Sequence, residues 1–425
     1  MARKKSPTIF VQIASYRDPE LVKTIEDMFA NAKYPQHLRV GVCRQYHPED
    51  GFDNMDKYKN NKQFRVLDVL YNESKGVCWA RNQVQQLYKD EMYTLQIDSH
   101  MRFAPDWDET LVGMVTQLQK MGIPKPLLTA YVSSFDPDND PGGRVQEPWR
   151  MAFDRFIPEG AVFFLPESIP DWRQLETPIP SRFYSAHFCF TLGEFSNEVQ
   201  HNPEYYFHGE EISIAARAFT WGYDLFHPHK VVIWHEYTRK GRTKQWDDDK
   251  QWGDKNSHSH LTNRKLFGMD GETQEGHTGK YGFGTHRTLK QYEEYAGLLF
   301  EKRAVQQETL DKKYPPNPGI DSYGGDEEAW KNSFAQVFKH CIDIGYDQVK
   351  EKDYEFWVVA FHAENDDTLY RQDADINEIN RMMQDPDGYC KVWRDFQTAI
   401  KPKYWVVWPY SKSKGWCDRI TGNLF

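Results

Sequence analysis

The sequence predicts an α/β protein with a mainly parallel sheet, followed by a small C-terminal α+β appendage. Segments typical of buried strands alternate with helical segments at the spacing of βαβ units. The chain has 425 residues, enough for two domains or for one large domain with an extension. A proline-rich linker candidate begins at Tyr314. We therefore expect one domain over residues 1–312 and a second, of undefined role, over residues 325–425.

Four predicted strands and two predicted helices occupy the first hundred residues. Asp18 is the expected N-cap, and Pro19 the first-turn residue, of a helix over residues 21–30. β-Branched and aromatic runs predict the strands, and 3.6-residue periodicity predicts the second helix. The strands are expected at residues 8–14, 38–43, 64–70 and 94–98, and the second helix at residues 76–88. Since ligands bind at the carboxyl ends of parallel strands, residues 15–17 and Asp98 should share one edge of the sheet.

The rest of the chain is less regular. Residues 155–180 carry five prolines and are expected to be irregular, and the polar stretch 240–284 is expected to be mobile or ordered by a ligand. Further helices are expected at residues 108–121, 211–220, 288–311 and 329–344. Further strands are expected at residues 127–134, 183–191, 230–234, 356–361 and 404–408.

Composition excludes some classes of function. The formal net charge is −10, which argues against nonspecific nucleic-acid binding. No run approaches the roughly 18–20 apolar residues that a membrane span needs, and the apolar run after the basic first residues is too short for a signal peptide. Six cysteines are scattered without metal-like or disulfide-like spacing. We therefore expect a cytoplasmic protein without nucleic-acid or membrane partners.

The stretch Asp98-Ser-His is the strongest candidate for chemistry. It ends an apolar strand, and side chains at positions i and i+2 of a strand point to the same face. Asp98 and His100 could therefore bind one cation together. Mixed oxygen and imidazole ligands suit Mn²⁺ better than Ca²⁺. A strand end with two solvated polar residues is the alternative, so the prediction depends on the neighbouring segments.

Three other segments could converge on this metal. Glu210 and Glu211 open a helix after a glycine, where a carboxylate can act as a base or orient a hydroxyl, although the helix dipole alone also favours acidic residues there. His235 ends an apolar strand and could be a third ligand. Arg81, on the helix before the metal strand, could bind a phosphate through its planar fork, or could be a structural cation.

Four motifs together resemble a known family. They are QIASYRD at residues 12–18, GVCWARN at 76–82, QIDSHMRF at 96–103 and HGEE at 208–211. In this order they resemble the cytoplasmic polypeptide (hydroxyproline) α-N-acetylglucosaminyltransferases and, more distantly, the mucin-type polypeptide GalNAc-transferases. The resemblance covers about residues 8–290 and leaves the segment beyond about residue 325 unmatched. It implies a GT-A fold, the Rossmann-like fold of nucleotide-diphospho-sugar transferases.

The resemblance also implies roles for individual residues. The metal, Mn²⁺ or Mg²⁺, would be bound by Asp98, His100 and His235. The acidic pair Glu210 and Glu211 would lie at the reacting centre. The residues expected to bind the UDP-sugar donor are Ser15, Arg17, Arg81, Ser99 and His187.

The implied reaction is transfer of N-acetylglucosamine from UDP-GlcNAc, with retention of configuration, to a hydroxyl of a protein or peptide acceptor. The acceptor residue could be hydroxyproline, Ser or Thr, and the residues alone do not separate GlcNAc from GalNAc. Two alternatives stay open: a transferase of the same fold acting on a glycan or small molecule, and a non-catalytic sugar-binding protein. A metallohydrolase is disfavoured because the sequence offers no second carboxylate-rich metal cluster.

Overall fold

The computed structural model describes residues 7–384 and 388–424. The chain divides into two units, Met1–Glu301 with Glu308–Gly325, and Lys302–Gln307 with Asp326–Phe425. Residues 302–307, which the predicted bounds assign to the first domain, are thus part of the second unit.

The first unit is built on an eight-stranded sheet with strand order β3-β2-β1-β4-β10-β6-β11-β9. Strands β1 to β4 are mutually parallel, as is the pair β6 and β11, whereas β10 runs antiparallel between β4 and β6. The sheet strands are β1 (Ile9–Tyr16), β2 (Leu38–Tyr46), β3 (Phe64–Leu70), β4 (Tyr93–Asp98), β6 (Pro126–Thr129), β9 (Ile179–Pro180), β10 (Phe188–Leu192) and β11 (Asp224–His227). The remaining strands are β5 (Met101–Phe103), β7 (Trp149–Phe156), β8 (Val162–Ser168), β12 (Ile233–His235) and β13 (Leu298–Leu299).

Helices cover both faces of the sheet, which explains why successive residues of β1 are buried instead of alternating between buried and exposed. Ile9, Val11 and Ile13 belong to the main core with residues of α1 and α3, while Phe10 packs with α2 on the other face. The helices are α1 (Leu21–Asn31), α2 (Val77–Gln85), α3 (Trp107–Lys120), α4 (Phe195–Glu198), α5 (Glu210–Thr220), α6 (Gln245–Asp248), α7 (Trp252–Phe267), α8 (Leu289–Ala296) and α9 (Gln307–Leu310).

Strand register positions the edge that carries the candidate site. Ala14 of β1 pairs with Asp98 of β4, so the chain leaving β1 runs beside the Asp98 carboxylate. Directly after β4, the short strand β5 pairs antiparallel with β12, and Met101 lies opposite His235. This pairing brings His235 next to His100, although the two residues are far apart in the sequence.

Several predicted elements of the first unit are wrong. Residues 155–180 are not irregular throughout, because β7 and β8 pair into an antiparallel hairpin that contributes buried apolar side chains. The polar stretch 240–284 contains α6 and α7, for which no helix was predicted, and its ordering by a ligand stays a prediction. The predicted helix over residues 288–311 ends as α8 at Ala296, where Gly297 adopts a left-handed conformation with φ +64°.

The second unit contains two sheets. One contains β14 (Ala304–Gln306), β15 (Phe334–Gly345) and β19 (Tyr389–Thr398) as neighbours, and the other has the order β17-β16-β20-β21, with β18 on β16 and β22 on β20. These are β16 (Tyr354–His362), β17 (Thr368–Arg371), β18 (Ala374–Asp375), β20 (Tyr404–Ser411), β21 (Gly415–Trp416) and β22 (Ile420–Asn423), with helices α10 (Glu327–Lys331) and α11 (Ile376–Met382).

The predicted helix over residues 329–344 is wrong. Only α10 is helical, and most of the segment is β15, which pairs with β19 over ten residue pairs. Ile342 and Ile344 are buried on either side of an exposed Asp343, which is the two-residue period of a strand. Local residue preferences did not distinguish this period from that of a helix. Within residues 7–384 and 388–424, no helix has the length and apolarity needed to cross a membrane.

Candidate active site

A cavity of about 440 Å³ lies at the carboxyl edge of β1 and β4. Side chains from several parts of the first unit line it, including the ends of β1 and β4, the helix α2, the β7–β8 hairpin, the start of α5 and the segment after β12. Of the ten residues predicted for the site, eight line this cavity, and Ser15 and Arg17 do not. The eight are Arg81, Asp98, Ser99, His100, His187, Glu210, Glu211 and His235.

Asp98, His100 and His235 form a compact group of potential metal ligands. The Nε2 atoms of His235 and His100 lie 3.4 and 3.6 Å from Oδ2 of Asp98, and one ligand atom from each residue falls within 4.8 Å of the others. Both ring nitrogens of His235 are buried and make no hydrogen bond within the described residues. A carboxylate oxygen and two imidazole nitrogens at these separations fit a borderline divalent cation.

The charge states of this group also suit a cation. Burial opposes ionisation of Asp98, but Arg81 and the two histidines outweigh it and hold its pKa well below the usual value. Burial lowers the pKa of His235 to about 4. At neutral pH the carboxylate is therefore charged and the His235 ring is neutral, the forms in which both side chains bind metals.

Arg81 is a buried cation facing the cavity. Its Nη2 donates to Oδ1 of Asp98 at 2.8 Å, and its Nη1 lies 3.6 Å from Oε1 of Glu210. Within the described residues, Nε and Nη1 make no hydrogen bond. The helix that carries Arg81 starts after Gly76, where φ is +116° and a Cβ would lie 2.7 Å from the carbonyl oxygen of Tyr206. The arginine thus offers an anion two hydrogen-bond donors that protein groups leave free.

The two glutamates at the start of α5 differ in their contacts. Glu211 accepts hydrogen bonds from the Tyr131 hydroxyl at 2.7 Å and from the Ala186 amide at 2.9 Å, which fix its carboxylate. Glu210 has Arg81 as its ion-pair partner. Burial and the charge of the neighbouring glutamate raise the pKa of Glu210. Glu210 is therefore the acid with more freedom to interact with a bound molecule.

His187 stacks between two rings of the site. Its centroid lies 4.4 Å from that of His235 and 5.1 Å from that of Tyr131. The Val132 amide donates to Nε2 at 3.2 Å, so Nδ1 carries the hydrogen of the neutral ring. Burial, followed by the neighbouring His235, holds the pKa of His187 well below its usual value. His187 is thus a neutral hydrogen-bond donor.

Of three further residues expected to bind the donor, Arg17 and Ser99 are engaged with protein groups, and Ser15 is buried. Ser15 is fully buried, and its hydroxyl has no hydrogen-bond partner within the described residues. Arg17 forms ion pairs with Asp50 at 2.7 Å and Asp248 at 2.9 Å. The Ser99 hydroxyl donates to Asp18 at 2.7 Å. Donor binding by these three residues stays a prediction.

The sequence analysis missed the role of Asp18. It was expected to be the N-cap of α1, but that helix begins at Leu21 after Glu20. Asp18 instead accepts hydrogen bonds from Ser99 and His100 through Oδ2, and from the Glu20 amide through Oδ1. Tyr131 and Tyr237, which also line the cavity, were missed as well, since no local pattern distinguishes them from core aromatics.

The segment after β12 closes one side of the cavity. Arg239, Arg242 and Lys244 line it, whereas Lys240 is exposed and pairs with Asp138 at 2.5 Å. The end of α6 is tied to the β1 edge: the Tyr16 hydroxyl donates to Asp248 at 2.8 Å. Basic side chains are thereby held over the Asp98 group.

Known structures share this fold. The chain is similar to the crystal structure of GalNAc-T7 with UDP, GalNAc and Mn²⁺, at 10% identity and a TM-score of 0.50, over 99% of this chain and 72% of that chain. It also matches S. aureus TarS in complex with UDP-GlcNAc, at 11% identity and a TM-score of 0.37, over 57% of this chain and 61% of that one. A mannosyltransferase from Pyrobaculum calidifontis in complex with GDP-Man and Mn²⁺ matches at 12% identity and a TM-score of 0.38, over 62% and 64%. The predicted fold class is confirmed: the first unit has a GT-A fold.

The sequence itself identifies the family. No curated protein sequence matches the chain. The family model for Glycosyltransferase (GlcNAc) matches residues 8–63 and 49–302, which together make up more than half of the chain and include every residue of the site. The chain belongs to this family of GlcNAc glycosyltransferases.

Proposed function

We propose that this protein is a metal-dependent, retaining glycosyltransferase that moves N-acetylglucosamine from UDP-GlcNAc to a hydroxyl group of a protein. The observation that carries the proposal is the convergence of Asp98, His100 and His235 at one cavity, beside the buried Arg81. Membership of the GlcNAc glycosyltransferase family supports the transferase reaction, and the fold is that in which GalNAc-T7 was crystallised with UDP and Mn²⁺.

In this proposal the metal is Mn²⁺ or Mg²⁺, and the three ligands are Asp98, His100 and His235. When bound, the cation supplies positive charge where the diphosphate leaving group becomes more negative. The buried guanidinium of Arg81 adds a second positive charge beside the same group, and its free Nε and Nη1 donors can bind a phosphate oxygen.

The reaction breaks the bond between the anomeric carbon and the β-phosphate oxygen and forms a bond to the acceptor oxygen on the same face of the sugar. The acceptor proton passes to the departing phosphate oxygen, so no covalent enzyme intermediate is needed. Glu210 positions the sugar or the acceptor hydroxyl. Glu211, fixed by Tyr131 and the Ala186 amide, and the Nδ1–H of His187 hold the hydroxyl groups of the donor sugar.

The acceptor is a polypeptide in this proposal, with hydroxyproline, Ser or Thr as the modified residue. The apolar side of the cavity, formed by Phe163, Phe164, Phe207 and Trp246, supports an acceptor that carries apolar atoms around its hydroxyl. We assign catalysis to residues 1–312 and a separate, undefined role to residues 325–425. All six cysteines are free thiols, which supports a cytoplasmic location.

A donor panel tests the proposal. The protein is incubated with Mn²⁺ and UDP-GlcNAc, UDP-GalNAc, UDP-glucose or UDP-galactose, with and without peptides containing hydroxyproline, Ser or Thr, and UDP release is measured. We expect release to be greatest with UDP-GlcNAc, to increase with peptide, and to be lost in Asp98→Asn. Asp108→Asn is the control, because Asp108 is a buried carboxylate of α3 outside the cavity that accepts the backbone amides of Lys33 and Tyr34.

Two outcomes contradict the proposal. Turnover that glycans stimulate and peptides do not would identify a transferase with a different acceptor. Glycan binding without UDP release from any donor would identify a non-catalytic sugar-binding protein.

A further inference from the structure

We infer that Asp18 is a positioning residue for the metal site: it holds the ring of His100 in the one tautomer and orientation that leave Nε2 free to bind the cation. This inference rests on the proposed function, because it concerns the metal that the proposal requires. Asp18 itself does not reach the cation group and acts through His100.

The contacts of Asp18 are those of a fixed acceptor. Its side chain is only 3% exposed. Oδ1 accepts the Glu20 amide at 2.9 Å. Oδ2 lies 2.7 Å from both Nδ1 of His100 and the hydroxyl of Ser99. Bonds from the backbone and from the residue next to His100 therefore fix the carboxylate independently of the ring that it orients.

The tautomer of His100 follows from the nature of these contacts. Asp18 has donors on both oxygens, and the Arg242 guanidinium lies 3.3 Å from Oδ2, so the carboxylate is ionised and has no hydrogen to give. A distance of 2.7 Å to Nδ1 is then a hydrogen bond only if Nδ1 carries the hydrogen. The neutral ring consequently has its lone pair on Nε2, the nitrogen that faces Asp98 at 3.6 Å.

Arg242 also contacts Nδ1 of His100, and this contact must be weighed against that of Asp18. Arginine has no acceptor, so Arg242 and a protonated Nδ1 cannot bond to each other. Both can donate to Asp18, and Arg242 has a second anionic partner in Glu236 at 2.6 Å. Every donor therefore has an acceptor only when Asp18 accepts hydrogen bonds from both His100 and Arg242.

The two histidines of the site differ in this respect. Both ring nitrogens of His235 lack a hydrogen-bond partner within the described residues. Its ring instead packs between the rings of His187 and His100, whose centroids lie 4.4 and 4.7 Å away. Of these two histidines, only His100 has a carboxylate, that of Asp18, in hydrogen-bond contact with Nδ1. Loss of a carboxylate that orients a ligand histidine typically weakens metal binding about 10- to 100-fold.

Metal binding in the absence of turnover tests this inference. Mn²⁺ is titrated into metal-free protein with UDP present and without any sugar donor, and free Mn²⁺ is measured by electron paramagnetic resonance. We expect Asp18→Asn, which keeps the shape but loses the charge, to bind Mn²⁺ about 10-fold more weakly, and Asp18→Ala up to about 100-fold more weakly. Asp108→Asn is the control for loss of a buried carboxylate and should bind like the wild type. Thermal unfolding without metal establishes that each variant is folded.

A second measurement reports the tautomer directly. In metal-free protein labelled with ¹⁵N-histidine, at a pH where the ring is neutral, the His100 signals are assigned by their absence in His100→Gln. We expect Nδ1 to be protonated in the wild type and the Nε2-protonated form to gain population in Asp18→Ala. This readout would not change if Asp18 only stabilised the fold.

The outcomes separate the inference from the proposed function. If the wild type binds Mn²⁺ and Asp98→Asn does not, but Asp18→Asn and Asp18→Ala bind like the wild type, the role of Asp18 is refuted while the metal site stands. A wild type with His100 protonated on Nε2 also refutes it. If the wild type binds no Mn²⁺ with or without UDP, the metal site itself is refuted, and the inference with it.

Discussion

Replacing Arg81 by methionine should damage catalysis and stability together, because one buried guanidinium serves both. In the wild type it donates to Asp98 at 2.8 Å and lies 3.6 Å from Glu210, and its side chain is 7% exposed. Methionine has a similar length and fills the space, but leaves the acidic groups without this cation. The variant therefore removes the charge with little change in packing.

Both magnitudes can be worked out from the structure. Removing one preorganised electrostatic group reduces kcat by about 10²–10³-fold, or about 3–4 kcal/mol of transition-state stabilisation. Breaking a buried ion pair by deleting one partner lowers the free energy of unfolding by about 3–5 kcal/mol. The loss of stability should be smaller with Mn²⁺ than in EDTA, since a bound cation compensates the same carboxylates and stabilises the native state.

The assays are UDP release at saturating UDP-GlcNAc and urea unfolding with and without Mn²⁺. Arg81→Lys is the matched variant: it keeps the charge but replaces the planar fork with a single ammonium, so we expect intermediate activity and a smaller loss of stability. The reasoning is refuted if Arg81→Met keeps more than a tenth of the wild-type kcat, or if Arg81→Lys is no better than Arg81→Met.

Three further predictions concern the metal, the pH dependence of stability and the backbone. Chelation with EDTA should abolish UDP release and added Mn²⁺ should restore it; full activity in EDTA would contradict the metal site. Burial lowers the pKa of His227 to about 4 in the folded protein, whereas a histidine in the unfolded chain has a pKa near 6.5. The contribution of His227 to the free energy of unfolding is therefore complete above about pH 6.5. It is lost as the pH falls towards 4, by up to about 3 kcal/mol. Urea unfolding at several pH values should show a flatter dependence for His227→Gln, and an unchanged slope would count against this. Gly76→Ala should destabilise by about 1–3 kcal/mol because of its positive φ and the close Tyr206 carbonyl, whereas Gly113→Ala, in open space on α3, should stabilise by up to about 1 kcal/mol; equal unfolding midpoints for the two variants would refute the backbone argument.

Local sequence patterns were sufficient to predict the strands that form the centre of the sheet. The runs at residues 8–14 and 94–98 are rich in β-branched and apolar residues and are buried on both faces, and that pattern depends little on distant residues. Strand direction then placed the carboxyl ends of β1 and β4 at one edge, as expected for parallel neighbours. The sequence could not reveal that β10 runs antiparallel between β4 and β6, because its pairing partners are far away in the chain.

The same limit explains the errors in the second unit. Residues 334–345 mix polar and apolar side chains so that both periods fit short windows, and only the pairing of β15 with β19 decides for a strand. The helices within the polar stretch 240–284 were missed for another reason. Arg17 and Tyr16 at the β1 edge provide partners for Asp248, so residues that look solvated in the sequence have ion pairs and hydrogen bonds in the fold.

The same distinction between local patterns and long-range contacts decides which residues of the site could be predicted. Asp98 and His100 could be predicted because two neighbouring residues suffice to suggest a cation, and the Asp-x-His spacing is visible in the chain. Asp18 could not, because a carboxylate before a helix also satisfies the pattern of an N-cap. Only the packing of the β1 edge against the end of β4 turns that carboxylate towards the His100 ring. Two candidate ligands close together in the sequence thus leave a local signature, whereas a residue proposed to orient one of them acts across chain segments and becomes visible only in three dimensions.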